Sequence, residues 1–325
     1  MADYINIYGQ DILAVASDPA NPTLGQIWYN TTSNTLKGEG YAAATWASGG
    51  NLNQGRARVR AVGTQTEALA FGGNTPLATA LNNTEEYNGS TWSNANTMGT
   101  AVLSHGGAGT QTAGLSFGGE NGAPTYTNLN NTEEYDGTNW TAGGNLGTTK
   151  RWPTGAGTQT AGLSIGGDIP PWTAATEEYD GSAWTAGGSL STARFAGGSA
   201  GSQTAGLFFG GYTPPTFSSA TEEYNGSTWT AGGSINTAKA FVGSGGIQTA
   251  ALLFGGNIGP ALTTATEQYD GTSWTTLSAT LASAVENNGG CGTTSLALST
   301  GGSGGTTATE EYTGAGPVTK TITAS

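Results

Sequence analysis

The stretch Gly109–Gly119, GTQTAGLSFGG, followed by Asn131–Trp140, NTEEYDGTNW, decides the fold. In the first block, alternation places Leu115 and Phe117 on one side of a short strand, and Gly118-Gly119 ends it. The second block reads as a strand through Glu133-Glu134-Tyr135, a tight turn at Asp136-Gly137, and a strand that carries Trp140. Asp-Gly tolerates positive φ at both centres of a type I′ hairpin turn, so the two strands should pair directly. Helical periodicity is absent from the stretch.

Working outward, the first block returns as GTQTEALAFGG (63–73), GTQTAGLSIGG (157–167), GSQTAGLFFGG (201–211), GIQTAALLFGG (246–256) and GTTSLALSTGG (292–302). The second returns as NTEEYNGSTW (83–92), ATEEYDGSAW (175–184), ATEEYNGSTW (220–229), ATEQYDGTSW (265–274) and a truncated ATEEYTG (308–314). Trp46, Trp92, Trp140, Trp184, Trp229 and Trp274 recur at intervals of 44 to 48 residues. Each unit holds four short strands, with a Gly/Ala/Ser stretch before the next copy. Four-stranded units of this length, repeated, are the signature of a β-propeller blade.

The order of a basic residue, Gly-Gly, Glu-x-Tyr-Asp-Gly and Trp resembles the kelch repeat over residues 46–314. Nine residues before each repeat's QT glutamine position stand Arg56, Val102, Lys150, Arg194, Lys239 and Val285, so the kelch cation is present in four copies. No Trp-Asp dipeptide supports the competing WD40 repeat. The expected fold is therefore all-β, a six-bladed kelch-like propeller closed by N- and C-terminal strands, with a short N-terminal arm. The last copy stops after Tyr312 without its Trp, whereas Trp46 has no copy of its own, so the N-terminal region should complete the final blade. In this division residues 1–24 form the arm and 25–325 the propeller, with 25–45 as a closure hairpin. Seven blades would follow if the hairpin in 25–40 belonged to another blade.

Composition narrows the function. Leu, Ile, Val and Phe supply only about one residue in seven, so nine tryptophans and twelve tyrosines must build much of the core. A formal charge of −13 with nine Lys and Arg argues against nucleic acid and anionic membrane surfaces, which need clustered cations. No apolar run approaches the length of a membrane span, and the N-terminus lacks the basic start of a secretory signal. One cysteine, Cys291, and one histidine, His105, argue against an internal disulfide and multi-ligand metal centres. No metal and no cofactor is expected.

The Glu-Glu pairs suggest acid–base machinery, but a pair at the same place in every copy, with Gln268 replacing one member, is read as structural. The first Glu of each pair should accept hydrogen bonds from backbone or from the neighbouring Arg or Lys. The Tyr-Asp-Gly block does not fit the sialidase Asp box, which separates its Asp and Gly. His105 is read as a local polar contact and Cys291 as a small buried residue. No catalytic residue is expected, and the chain is not read as an enzyme.

A functional site should break the repeat. The most variable segments run from each Gly-Gly to the next Thr-Glu and carry Tyr126, Trp172, Tyr212 and Phe217 beside prolines. These loops should gather on one face, where exposed aromatics suit sugar rings or a protein partner. Trp152 is a further aromatic outside the repeated positions.

Residues 1–24 add Tyr4, Ile5, Ile7, Tyr8, Ile12 and Leu13, an apolar set suited to docking on a partner or a second copy. The following GQIWYNTTSNTLKGEGY (25–41) resembles a motif of bacteriophage tail-fibre and other virion proteins, especially those of marine cyanobacterial phages. That resemblance implies a non-enzymatic virion component, tail or fibre associated. Its partners would be other virion proteins, through the arm, and a host-surface glycan. The alternatives are a glycan-active propeller enzyme and an intracellular kelch-type scaffold.

Overall fold

A computed structural model describes residues 12–76 and 78–322, which are all β and contain no helix. They divide into two compact units, one of residues 45–313 and one formed by the chain's two ends.

Within residues 45–313 the repeat becomes four-stranded antiparallel sheets, an architecture consistent with a β-propeller. In the second repeat the strands are Gly106–Thr110, Ala113–Phe117, Thr132–Tyr135 and Trp140–Ala142, paired in chain order. The hairpin register sets Tyr135 opposite Trp140, as the Asp-Gly turn requires. The first strands, from Arg60–Gly63 to Gly289–Gly292, pack side by side in sequence, and Gly289–Gly292 also lies against Arg60–Gly63.

The sixth sheet is completed from the other end of the chain. Thr45–Ser48 pairs antiparallel with Thr309–Thr313, and Trp46 stands opposite Tyr312 in the same register as the other Tyr–Trp pairs. The Trp left without a copy in the sequence is thus the missing member of the truncated repeat.

Aromatic residues fill the space between sheets. Each of the six repeated Trp residues lies 4.8–5.2 Å from the Tyr of its own sheet, while Trp140 also meets Phe71 and Trp184 meets Phe117 of the preceding repeat. Such pairs contribute about 0.5–1.5 kcal/mol each beyond the area they bury. Glycine is required where repeats approach closely: a Cβ on Gly144 would overlap the Ser182 carbonyl oxygen of the next repeat's turn.

The second unit differs from the expected arm and closure hairpin. The hairpin forms, as Ile27–Asn30 with Thr35–Ala42, but it pairs with Leu13–Val15 on one side and Gly316–Thr321 on the other. Only Thr45–Ser48 joins the repeat, so the boundary falls near residue 45 rather than 24. The reason lies in its own small core. Fully buried Trp28 donates its indole N–H to Asp18 (3.0 Å), which also accepts from Asn30 (2.7 Å) and pairs with Lys37 (2.6 Å). Ile12 and Leu13 are exposed, while Tyr4, Ile5, Ile7 and Tyr8 lie outside the described residues.

Candidate functional site

The repeated polar residues are consumed by structure. The first Glu of each pair meets the basic residue of its own repeat in four copies: Arg56–Glu85 (2.9 Å), Lys150–Glu177 (2.8 Å), Arg194–Glu222 (2.7 Å) and Lys239–Glu267 (2.7 Å). The second Glu points the other way and accepts a hydrogen bond from the next repeat's tyrosine. Tyr135 donates to Glu86, Tyr179 to Glu134, Tyr224 to Glu178, Tyr269 to Glu223 and Tyr87 to Glu311. The QT glutamines bridge the same seams: Gln111, for example, donates to the Ala68 and Tyr87 carbonyls. The pairs are therefore struts, as expected from their repetition.

What breaks the repeat is found two residues after each cation position. Arg58, Ser104, Trp152, Ala196, Phe241 and Asn287 all adopt positive φ, between 55° and 59°. Their backbones join in a chain of hydrogen bonds. Arg58 N–H donates to the Asn287 carbonyl, Asn287 to Phe241, Phe241 to Ala196, Ala196 to Trp152 and Trp152 to Ser104. The left-handed conformation costs a non-glycine residue about 1–2 kcal/mol. A chain with 56 glycines fills all six positions with something else. No two of the six residues are alike.

These residues surround one end of the space between the first strands, a cavity of about 140 Å3 lined by all six of those strands. At this mouth Trp152 and Phe241 meet edge to face at 4.9 Å, and the Arg58 guanidinium lies over Trp152 at 5.1 Å. The recess left among them is only about 20 Å3, so the surface is a platform rather than a pocket.

Three of the four sequence-predicted residues extend that platform. Trp172, Tyr212 and Phe217 pack in one cluster with Phe195, Ala196, Trp152 and Phe241. Tyr212–Thr213 and Thr216–Phe217 pair around Pro214-Pro215, bringing the two rings to 4.9 Å. Tyr126 stands apart. It is exposed, and its loop leans on the first repeat's loop through the Ala123 N–H to the Ala78 carbonyl.

The neighbouring sector is charged. Arg151 binds Asp168 (2.8 Å) and Glu120 (3.0 Å), and Glu120 also accepts from Ser104 (3.0 Å) and lies 3.9 Å from Arg58. The mouth is thus aromatic on one side and carries fixed charges on the other.

His105 departs from its expected role as a polar contact. It is fully buried against Phe71, and neither ring nitrogen has a partner among the described residues. Burial, with the charges of Arg60 and Arg56 adding to it, holds it well below the ordinary imidazole range. Cys291 is buried as expected, and desolvation pushes its thiol up to about 12. No group of three or more His, Cys, Asp or Glu suited to a metal occurs among the described residues.

Sequence reasoning missed Arg58, Ser104, Ala196, Phe241 and Asn287. The signal was present: aligned on the cation column, the position two residues later is Arg, Ser, Trp, Ala, Phe and Asn. Neither a scan against protein-family models nor a search of curated proteins found a match to this chain.

Proposed function

We propose that residues 45–313 form a six-bladed kelch-like propeller closed by strands from the two ends of the chain. The chain would serve as a non-enzymatic bacteriophage virion component, tail or fibre associated, with the mouth of the propeller contacting a host-surface glycan. The observation that carries the binding role is the set of six left-handed positions, each holding a different side chain where glycine would be cheaper. The half-buried rings of Trp152, Trp172 and Tyr212 suit the C–H faces of a sugar, and the Arg151–Asp168 pair beside them suits its hydroxyls. The shallow surface suits stacking more than engulfment. The virion assignment rests on the likeness of residues 25–41 to phage virion motifs, and the unit containing them is the part suited to hold the particle.

Immunogold labelling of intact particles, with antibody against the recombinant chain, tests the assignment. Gold on tail, fibre or capsid is the expected result. Label confined to host cells would overturn it.

A further inference from the structure

Two repeats lack the basic residue that faces the first Glu, and they handle the loss differently. In the second repeat Val102 replaces the cation. Glu133 then takes two backbone N–H groups, from Gly99 (2.7 Å) and Thr100 (2.9 Å), so both oxygens are used. Leu129 packs against Val102, and only about 10 Å3 is left beside them. The site has been converted to an apolar one.

The sixth repeat has not been converted. Val285 stands at the cation position, and beside it lies a cavity of about 250 Å3 lined by Ser299, Gly301, Thr306, Ala308 and Glu310, among others. The Oε2 of Glu310 accepts from the Ala282 N–H (2.8 Å). Its Oε1, the atom that takes the cation in four sister repeats, has no partner among the described residues.

The walls match what surrounds a buried guanidinium elsewhere in the same chain. Arg194 donates to the Gly210 carbonyl (3.2 Å), the Ser218 hydroxyl (3.1 Å), the Ala220 carbonyl (2.8 Å) and Glu222 (2.7 Å). The corresponding residues of the sixth repeat are Gly301, Thr306, Ala308 and Glu310, all on the cavity wall. Thr306 even makes the same local bond, accepting the Ala308 N–H at 3.1 Å as Ser218 accepts that of Ala220. The second repeat has lost this hydroxyl to Leu129. Ala282, Ser283 and Asn51 are exposed at the rim, so the cavity can be reached from solvent.

We propose that this cavity is a binding site for a guanidinium group, supplied from outside the chain, which completes the cradle that Arg56 and Arg194 complete in their own repeats. An unpaired carboxylate that is half removed from water favours such a cation over a neutral occupant. Burial pushes the Glu310 carboxyl up, in keeping with a charge that lacks its counterpart. The group can come from a small molecule or from an arginine side chain of a partner, since the head group recognised is the same.

The test is the thermal midpoint of the full chain titrated with methylguanidinium, with methylammonium and urea as controls. Blocked Gly-Arg-Gly, titrated in parallel, separates the two sources. The expected result is a saturable rise with methylguanidinium that urea does not produce. Binding should weaken at least tenfold in Val285→Arg, which fills the cradle, and in Glu310→Gln, which keeps its shape. Tighter binding of the peptide would assign the site to a partner's arginine, and equal binding to a small molecule. Absence of a saturable response in the unaltered chain, or an equal response in folded Val285→Arg, would overturn the proposal.

Discussion

The seam between the fifth and sixth repeats and the seam between the third and fourth are built from the same strands, yet they are tied differently. At the latter, Gln203 bridges to the Gly162 and Tyr179 carbonyls, Tyr224 donates to Glu178, and Trp229 donates to Thr176. At the former, Thr294 replaces the glutamine and Gln268 replaces the second Glu. Trp46 alone keeps its tie, to Thr266 (2.9 Å). That tryptophan belongs to the strand supplied by the other end of the chain. The strand that completes the sixth sheet therefore also holds the weakest seam, and the two tasks cannot be separated.

The comparison breaks most completely at high pH. Burial, together with the facing carboxylates, pushes Tyr87, Tyr179 and Tyr269 up to about 12. An unfolded tyrosine ionises near 10, so between pH 10 and 12 the unfolded chain sheds protons that the folded chain keeps. Stability from these residues is whole below pH 10 and falls as pH rises through 12. Absorbance of tyrosinate against pH should show these groups titrating together with loss of the fold, well above the exposed tyrosines.

Trp46→Ala has the next largest effect. It removes the one tie kept of the Gln, Tyr and Trp set, together with packing on Phe254 and Tyr312. A loss of about 3–5 kcal/mol is expected in denaturant unfolding. The same change at Trp184, where the Gln and Tyr ties remain, should leave the transition more cooperative.

Tyrosine-to-phenylalanine changes sharpen the contrast. Tyr224→Phe strands the Glu178 carboxylate and should lose about 1.5–3 kcal/mol. Tyr312→Phe should change stability by less than about 0.5 kcal/mol, because that hydroxyl has no partner among the described residues. In the opposite direction, Gln268→Glu or Thr294→Gln restores one tie and should add about 1 kcal/mol each. Failure of both to stabilise would mean that the seam is spaced differently from the rest.

The recurring strands and turns were legible in the sequence, whereas the recurring left-handed positions and the Tyr–Glu and glutamine ties between repeats were not. The Tyr–Trp pairing follows from the hairpin dipeptide, and the completing strand follows from one Trp too many at one end and one too few at the other. The platform was harder to find, because it is defined by difference and by backbone conformation. Trp172, Tyr212 and Phe217 announced themselves as aromatics in irregular loops, and Tyr126 did so for the same reason without joining them. Arg58 and Asn287 look unremarkable in the sequence until the six copies are stacked on the cation column. The hairpin at 27–42 was misassigned because alternation shows that strands exist, whereas their partners depend on the buried Trp28–Asp18–Lys37 cluster. Cavities such as that at Val285 leave no local signal beyond a changed residue type.

The most direct measurement is binding of the fluorescently labelled full chain to intact host cells, for the natural sequence and for a variant carrying Trp152→Ser, Trp172→Ser and Phe241→Ser. Saturable binding by the natural chain, weakened at least tenfold in the variant while its thermal midpoint stays within about 5 °C, is the expected result. Equal binding by both would contradict the assignment of the platform as the recognition surface.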